Sequence, residues 1–377
     1  MVADVIKPPH ATVPPGITTL ADYEAAAQAH LPPEVWQHIQ EGAGEERTLA
    51  RNRAAFARWG FLPRAMADLR GGTTALSLFG RAHLAPLMLA PIAYQRLAHP
   101  DGELAVTRAA AALGAGMIAS TLSSITLEEI AHTARDASRQ LGLAPSPLWF
   151  QLYLQPDRAD SLTLVRRAEA AGFEAIVLTV DAAIKPAGLS LPAGIEAANL
   201  KGMARLRQTA TAGGRIILGT ALADAAPRWE DLEWLRATTR LPVLVKGMLL
   251  DEDARRAAEM GADGLILSNH GGRVLDGLPS PLDVLPGLRD AIGTSLPVLI
   301  DSGIRSGADM AKAIALGATA VLLGRPQMHA LAVAGMAGIA HTLHLLRTEL
   351  ELTMAQLGCP TLADLTPRRL IRVHGEF

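Results

Sequence analysis

The sequence predicts an α/β protein, a (β/α)8 TIM barrel with an N-terminal helical extension and C-terminal helices. Short apolar runs alternate with Ala-rich amphipathic stretches about eight times between residues 85 and 326, several of these stretches end at a glycine, and polar residues follow nearly every apolar run. Continuous apolar strands are typical of a parallel sheet buried on both faces. So many repeats favour a closed barrel over an open, doubly wound sheet.

The apolar runs are the predicted barrel strands. Each run is short, rich in Val, Ile and Leu, and followed by a loop. In chain order they are Leu87–Ala93, Gly116–Ser120, Leu148–Tyr153, Ala175–Asp181, Leu241–Gly247, Gly264–Asn269, Leu296–Gly303 and Ala320–Pro326.

The amphipathic stretches are the predicted helices, and the glycine that follows several of them suits a helix C-cap. They are Glu103–Leu113, Leu127–Arg135, Ala159–Ala171, Trp229–Thr239, Asp251–Met260, Leu282–Ile292 and Ala308–Leu316. The interval between the fourth and fifth strands is too long for one crossover. Residues 182–215 within it are predicted to form an active-site loop.

The residues outside the repeat are predicted to be mainly helical. Asp22–Ala29 and Pro33–Glu41 precede the barrel, and a tail rich in Ala, Leu and His covers residues 329–377. The Pro-Pro pair before the second helix suits a helix start. We therefore divide the chain into an extension, residues 1–80, and a barrel, residues 81–377.

The composition and the net charge argue against several classes of function. The net charge of −2 and the scattered Lys and Arg give no sign of nucleic-acid or acidic-membrane binding. The single cysteine, Cys359, excludes a disulfide within the chain and is expected to be an inert thiol in a reducing compartment. No signal peptide and no membrane span of about 20 apolar residues is recognised. We expect a cytoplasmic protein without a metal site.

The segment Ser268–Arg273 (SNHGGR) follows the sixth predicted strand and indicates a catalytic base. A neutral histidine such as His270 can take a proton at physiological pH. The paired glycines let the backbone approach a ligand closely, and Arg273 can grip a carboxylate with two parallel hydrogen bonds. A histidine in a loop is usually a surface residue, but this context favours a base beside an anion clamp.

A phosphate site is predicted after the seventh and eighth strands, where barrels commonly bind phosphate. Asp301–Arg305 (DSGIR) ends the seventh strand, and Gly324–Pro326 (GRP) ends the eighth. Glycine amides and two arginines would cradle the anion, although each glycine alone could be only a turn.

Two further strand-end residues each allow two interpretations. Lys246 needs an anionic partner, either a ring that gains negative charge on reduction, such as a flavin, or a neighbouring carboxylate. Asp181 either orients a protonated His270, as in a catalytic triad, or caps a helix.

With these motifs the chain resembles the FMN-dependent α-hydroxy acid oxidases and dehydrogenases, which include glycolate oxidase, lactate oxidase, mandelate dehydrogenase, hydroxymandelate oxidase and flavocytochrome b2. The similarity runs from about Asp22 to Pro326. The segments that carry it are Ala90–Ala93, Phe150–Tyr153, Leu178–Asp181, Ser268–Asp276, Asp301–Arg305 and Leu323–Pro326.

The resemblance implies oxidation of an (S)-2-hydroxy acid to a 2-oxo acid with FMN as cofactor. The implied catalytic residues are His270 as the base while hydride moves to flavin N5, Asp181 as its partner, Tyr153 near the reacting carbon, Arg273 on the substrate carboxylate and Lys246 beside flavin N1. The implied FMN ligands are Ala93, Ser120, Gln151 and Thr179 along the ring, Ser268 at its polar edge, Asp301 on the ribityl chain, and Gly303, Arg305, Gly324 and Arg325 around the phosphate.

Three substrate-side positions depart from the family. His38 stands where the family has a tyrosine, Leu122 where it often has an aromatic residue, and the second carboxylate-binding arginine after Asp181 is missing. Lys185 could replace that arginine only in part, because lysine lacks the fork. Other candidates are Arg205, Arg207 and Arg215.

These departures leave several functions open. The first is a 2-hydroxy acid oxidase or dehydrogenase, with oxygen or a soluble electron acceptor and the homotetramer common in the family. The second keeps the flavin chemistry but acts on an amine, alcohol, ester or biosynthetic intermediate. A flavin-binding barrel without turnover is disfavoured by His270 and Arg273. A barrel of the inosine monophosphate dehydrogenase type needs a cysteine in a barrel loop, and the only cysteine is Cys359.

Overall fold

The computed structural model describes residues 7–182, 191–204 and 217–373. Its centre is a closed barrel of eight parallel strands, as predicted, and each predicted apolar run overlaps one of them. The strands in the described residues are β1 (Trp59–Phe61), β2 (Leu76–Leu78), β3 (Arg81–His83), β4 (Leu87–Leu89), β5 (Gly116–Ser120), β6 (Leu148–Leu152), β7 (Ile176–Thr179), β8 (Val243–Met248), β9 (Gly264–Leu267), β10 (Val298–Ile300), β11 (Ala320–Leu323) and β12 (Leu370–Arg372). Strands β4 to β11 form the barrel in chain order, and β11 pairs with β4 to close it.

The predicted helices are all present, and their ends differ by one or two residues at most, except that α5 continues from the predicted end at Arg135 to Gln140. The helices in the described residues are α1 (Leu20–His30), α2 (Pro33–Gln40), α3 (Arg47–Ala57), α4 (Glu103–Leu113), α5 (Leu127–Gln140), α6 (Arg158–Ala171), α7 (Ala221–Asp224), α8 (Trp229–Thr238), α9 (Asp251–Glu259), α10 (Pro281–Ile292), α11 (Gly307–Ala315) and α12 (Arg325–Leu357). Helices α4 and α6 end at Gly114 and Gly172, which take the left-handed conformation of a C-cap.

The barrel interior is apolar, and polar residues begin where the strands end. Met88, Ile118, Trp149 and Leu244 belong to the buried cluster inside the barrel. The hairpin formed by β2 and β3 contributes Leu78 to the same cluster. In parallel strands all carboxyl ends lie on one rim, so the polar residues that follow the strands converge there.

The extension contains a third helix that the sequence analysis did not recognise. Helix α3 packs against the turn His270–Gly272 and against α10, while α1 packs against α12. The extension therefore contacts the barrel at the rim where the polar residues gather.

The C-terminal tail is only partly the helical segment that was predicted. Helix α12 contains a kink at Ala334 and Gly335 and ends at Leu357. The last described residues form β12, which pairs antiparallel with β1, so the prediction of helix to residue 377 is wrong there. Helix α12 is long and apolar enough to cross a membrane, but 67% of its most apolar window is buried within the protein, as in a core helix.

Candidate active site

A cavity of about 510 Å³ opens at the carboxyl ends of the barrel strands. This volume is in the usual range for a small-molecule site. The predicted site residues that line it are His38, Ala93, Ser120, Leu122, Tyr153, Thr179, Lys246, His270, Arg273, Asp301, Gly303, Arg305, Gly324 and Arg325. The structure therefore brings together residues from all eight barrel strands or the loops that follow them, together with α2.

His270 and Asp181 form a hydrogen-bonded pair at the cavity. The Nδ1 of His270 lies 3.0 Å from Asp181 Oδ1, and its Nε2 lies 3.5 Å from the hydroxyl oxygen of Tyr153. Burial alone would raise the pKa of Asp181, but the charges of Lys246 and His270 hold it below its ordinary value of 3.8. An ionised Asp181 accepts from Nδ1–H, which leaves Nε2 as the basic nitrogen.

The backbone at His270 is held in an uncommon conformation by buried polar contacts. His270 has a φ of +56°, and its amide donates to Ser268 Oγ at 3.0 Å. The Asn269 and Asn52 side chains exchange two hydrogen bonds, at 2.9 and 2.7 Å, so α3 of the extension holds the turn that carries His270. Both amides are almost fully buried. Buried reciprocal hydrogen bonds fix a unique geometry, because breaking one leaves the partner unsatisfied.

Lys246 lies beneath the cavity and is paired with a carboxylate, which was one of its two predicted interpretations. Its Nζ donates to Ser268 Oγ at 2.7 Å and lies 3.1 Å from Asp301 Oδ2. Burial disfavours its charge, but Asp301 and Asp181 raise the Lys246 pKa above its ordinary value. The cation is therefore retained next to the cavity. Ser268 lies one layer behind the cavity, where it orients Lys246 and the His270 backbone.

Arg273 and Arg325 both bind the C-terminal end of α2. Arg273 Nη1 donates to the carbonyl oxygens of Ile39 and Glu41, each at 3.1 Å. Arg325 donates to the same two oxygens at 2.9 and 3.1 Å. The last carbonyls of a helix have no partner within it and carry partial negative charge, so two cations stabilise this end. The contacts also hold His38 at the cavity wall.

The far end of the cavity suits a phosphate group. Gly303 and Gly324 line it beside Arg305 and Arg325. Burial and neighbouring guanidinium groups lower the pKa of Arg305 to about 10 and that of Arg325 to about 9. Positive charge that is poorly stabilised within the protein would be stabilised by a bound anion. The contacts of Arg325 with main-chain carbonyls leave its direct role toward the phosphate a prediction.

Gly303 is expected to tolerate no side chain. It has a φ of +98°, and a Cβ there would lie 2.1 Å from the main-chain oxygen of Asn52. We expect Gly303→Ala to destabilise the fold by about 3 kcal/mol or more and to weaken FMN binding, because backbone strain and the clash add. Gly277→Ala is the matched control, with a φ of +89° and open space around the added Cβ. Urea unfolding and FMN titration of both variants check this, and equal losses would contradict the clash.

The residues predicted to face a flavin ring lie at the cavity or directly behind its wall. Ala93, Ser120 and Thr179 line the cavity, and Gln151 lies behind Ser120, whose hydroxyl donates to Gln151 Oε1 at 3.2 Å. Thr179 Oγ1 and Gln151 Nε2 are buried, and the described part of the chain offers them no hydrogen-bond partner. Such atoms are uncommon in folded proteins. With the phosphate end described above, these unsatisfied groups fit a bound FMN.

The part of the cavity that is predicted to face the substrate is mostly apolar. Leu122 and His38 line it, and residues from the long interval after Asp181 cover it. The covering residues in the described ranges are Ala182, Leu200, Ala204, Leu222, Ala225 and Pro227. The alternative carboxylate ligands Lys185, Arg205, Arg207 and Arg215 lie outside the described residues.

The sequence analysis missed three residues that the structure places at the site. Asn52 and Asn269 hold the turn that carries His270, and Glu41 contacts Arg273. Asn269 belongs to the segment that indicated the base, so its position was visible in the sequence. Asn52 and Glu41 gave no signal, because they reach the site only through the docking of the extension.

Comparison with known sequences finds one matching family model and relatives that match most of the chain. The family model described as FMN-dependent dehydrogenase matches residues 27–372. The chain is 50% identical over 365 residues to an L-lactate oxidase of Alicycliphilus denitrificans, with 95% of this chain and 97% of the relative covered. It is 44% identical to a 4-hydroxymandelate oxidase of Amycolatopsis orientalis, with 90% of this chain and 94% of the relative covered.

A solved structure matches over nearly the whole chain. It is a mandelate oxidase with benzoyl-formic acid, 42% identical, with a TM-score of 0.83 and coverage of 95% of this chain and 99% of that chain. At this identity and coverage the likeness extends from the barrel to the surrounding helices.

Proposed function

The chain belongs to the FMN-dependent dehydrogenase family, and from this premise we propose which side chains act and on which substrate. The protein is an FMN-dependent oxidoreductase that oxidises the CH–OH group of a 2-hydroxy acid to a 2-oxo acid. The observation that carries the residue assignment is the His270–Asp181 pair facing a cavity that Arg273 also lines. The amine, alcohol and ester alternatives are not favoured by these relatives.

His270 is the proposed base. Its Nε2 takes the proton of the substrate hydroxyl, and Asp181 stabilises the imidazolium that results through the 3.0 Å contact at Nδ1. The Tyr153 hydroxyl, 3.5 Å from Nε2, is placed to hydrogen-bond the same substrate oxygen. Burial and the charge of Asp181 raise the Tyr153 pKa, so this hydroxyl stays protonated and can donate.

FMN, when bound, would supply the acceptor for the two electrons and the α-hydrogen that leave the substrate. The residues proposed to hold it are Ala93, Ser120, Gln151 and Thr179 at the ring, Asp301 at the ribityl chain, and Gly303, Arg305, Gly324 and Arg325 at the phosphate. Lys246 would place a positive charge beside the ring, and Ser268 and Asp301 fix the position of its ammonium group.

The proposed substrate is an (S)-2-hydroxy acid with an apolar side chain. Arg273 binds its carboxylate, and Leu122 with the apolar cover formed by Leu200 and Leu222 contacts its side chain. (S)-Lactate is the first choice, because the relative that is 50% identical is an L-lactate oxidase. Oxygen is the proposed electron acceptor, supported by the oxidases among the relatives.

The assembly and cellular setting expected from the sequence also remain proposals. A homotetramer is supported by the resemblance to a family in which tetramers are common. A cytoplasmic setting is supported by the single cysteine, which is buried at position 359.

An anaerobic substrate panel tests the proposed function. We expect (S)-lactate or (S)-mandelate to bleach the visible absorbance band of the bound flavin and to yield one 2-oxo acid per flavin. The (R)-enantiomers are the controls and should leave the band unchanged. A holoenzyme that no 2-hydroxy acid bleaches would contradict the proposal.

A further inference from the structure

Glu41 places a second carboxylate beside the arginine that is assigned to the substrate. It is the residue that follows α2, and its Oε1 lies 3.4 Å from Arg273 Nη2 and 3.5 Å from His38 Nδ1. Its side chain does not line the cavity, whereas Arg273 and His38 do. Glu41 therefore influences the substrate site indirectly, through its contact with the Arg273 guanidinium.

The hydrogen bonds of Arg273 show which of its nitrogen atoms a bound carboxylate would share with Glu41. Both Nη1–H groups are used by the carbonyl oxygens of Ile39 and Glu41, and one Nη2–H is used by the Glu41 carboxylate. A guanidinium has five N–H groups. Within the described part of the chain, the edge that remains for a ligand is formed by Nε and the second Nη2–H. A substrate carboxylate bound on that edge uses the same Nη2 as Glu41.

Two carboxylates at one guanidinium repel each other and divide one positive charge. Burial lowers the Arg273 pKa, and the nearby Glu41 charge opposes that effect, so Glu41 already compensates part of the arginine's charge before a substrate binds. Arg273 is largely buried, with 15% of its side chain exposed, while 37% of the Glu41 side chain is exposed. The repulsion is therefore moderated by solvent but not abolished.

We propose that Glu41 weakens binding of the substrate and product carboxylates at Arg273. The inference rests on the proposed function in one respect, the assignment of Arg273 to the carboxylate. Substrate and product carry the same carboxylate, so Glu41 weakens both alike and favours release of the 2-oxo acid. Such uniform binding changes KM more than it changes the chemical step.

Replacing the Glu41 charge should tighten anion binding. We expect Glu41→Gln to lower KM for (S)-lactate and the dissociation constant of pyruvate by roughly 3- to 30-fold, in line with one removed charge at a partly screened site. The rate of flavin bleaching at saturating (S)-lactate should change less than about three-fold. Glu34→Gln is the matched control, because it removes the same charge from an exposed position at the other end of α2.

Two further measurements keep the inference distinct from a folding effect and from the proposed function. Glu41→Asp keeps the charge, and we expect it to remain near the parent in both constants. Pyruvate and oxalate titrations of the oxidised holoenzyme report anion binding without turnover, so they remain informative even if no 2-hydroxy acid is oxidised. The proposal is overturned if Glu41→Gln binds these anions no more tightly than the parent while its FMN content and melting temperature are unchanged.

Discussion

Replacing His270 by glutamine is expected to reduce the rate of flavin bleaching by (S)-lactate on the order of 10²- to 10⁴-fold, the usual contribution of a positioned general base. Glutamine can still bond Asp181 but has no basic nitrogen, so the hydroxyl proton of the substrate has no acceptor. The Asp181 carboxylate does not compensate, because it lies behind the imidazole and its pKa is held below 3.8.

The measurement is anaerobic single-turnover reduction at saturating substrate, with FMN content determined for each preparation. His132→Gln is the matched control, because His132 also pairs with an aspartate, at 3.0 Å, but stands on the surface with 69% of its side chain exposed. It should react at the parent rate. If the His270→Gln variant with full FMN content reduces its flavin as fast as the parent, His270 is not the base.

Arg273→Met is expected to lower kcat/KM for (S)-lactate by roughly 30-fold to several thousand-fold. Removing one partner of a buried, hydrogen-bonded charge pair costs about 2–5 kcal/mol, and each 1.36 kcal/mol is a factor of ten. Methionine keeps most of the volume but neither binds the carboxylate nor donates to the carbonyls of Ile39 and Glu41.

Activity on the methyl ester of (S)-lactate distinguishes the loss of carboxylate binding from the loss of the hydrogen bonds to α2. If Arg273 acts through the carboxylate, the variant loses the preference of the parent for acid over ester. If it acts only by holding α2, the variant loses activity on both compounds equally. Arg51→Met is the control, since the exposed Arg51 also donates to a main-chain carbonyl, that of Gly277, without lining the cavity.

The sequence predicted the barrel because its strands are encoded locally. Eight apolar runs separated by amphipathic helices leave few other folds, and parallel strands bring their carboxyl ends to one rim whatever the details of packing. Residues as distant in the chain as Tyr153 and His270 could therefore be assigned to one site. Most of the strands were predicted too long because the polar residues that follow them, such as Asp301, already lie outside the sheet.

The missed elements lack a local pattern. Helix α3 buries Thr48, Asn52, Ala55 and Phe56, so its inward face carries no continuous apolar stripe for a periodicity argument to find. Strands β1 and β12 have three residues each, and Trp59 pairs with Arg372 from the opposite end of the chain. Pairings of this kind depend on the finished tertiary structure.

Some residues of the site were missed for the same reason, because no local sequence pattern marks them. The family motifs gave the residues on the strand ends, whereas Glu41 and Asn52 belong to the extension and meet the barrel only after docking. Neither has a spacing relative to Arg273 or Asn269 that a sequence pattern could predict. Residues of the extension such as Glu41 and Asn52 therefore influence the strand-end residues without belonging to a catalytic motif.

The amide pair between Asn52 and Asn269 limits how this chain can be recombined with its relatives. A chimera joined near residue 80 would take α3 from one parent and the catalytic turn from the other, and their complementary surfaces would no longer have been selected together. The same junction would separate Gly303 from the Asn52 backbone that leaves it no room for a side chain. Exchanges that move α3 together with the segments after β9 and β10 should keep both contacts and preserve activity in the hybrid.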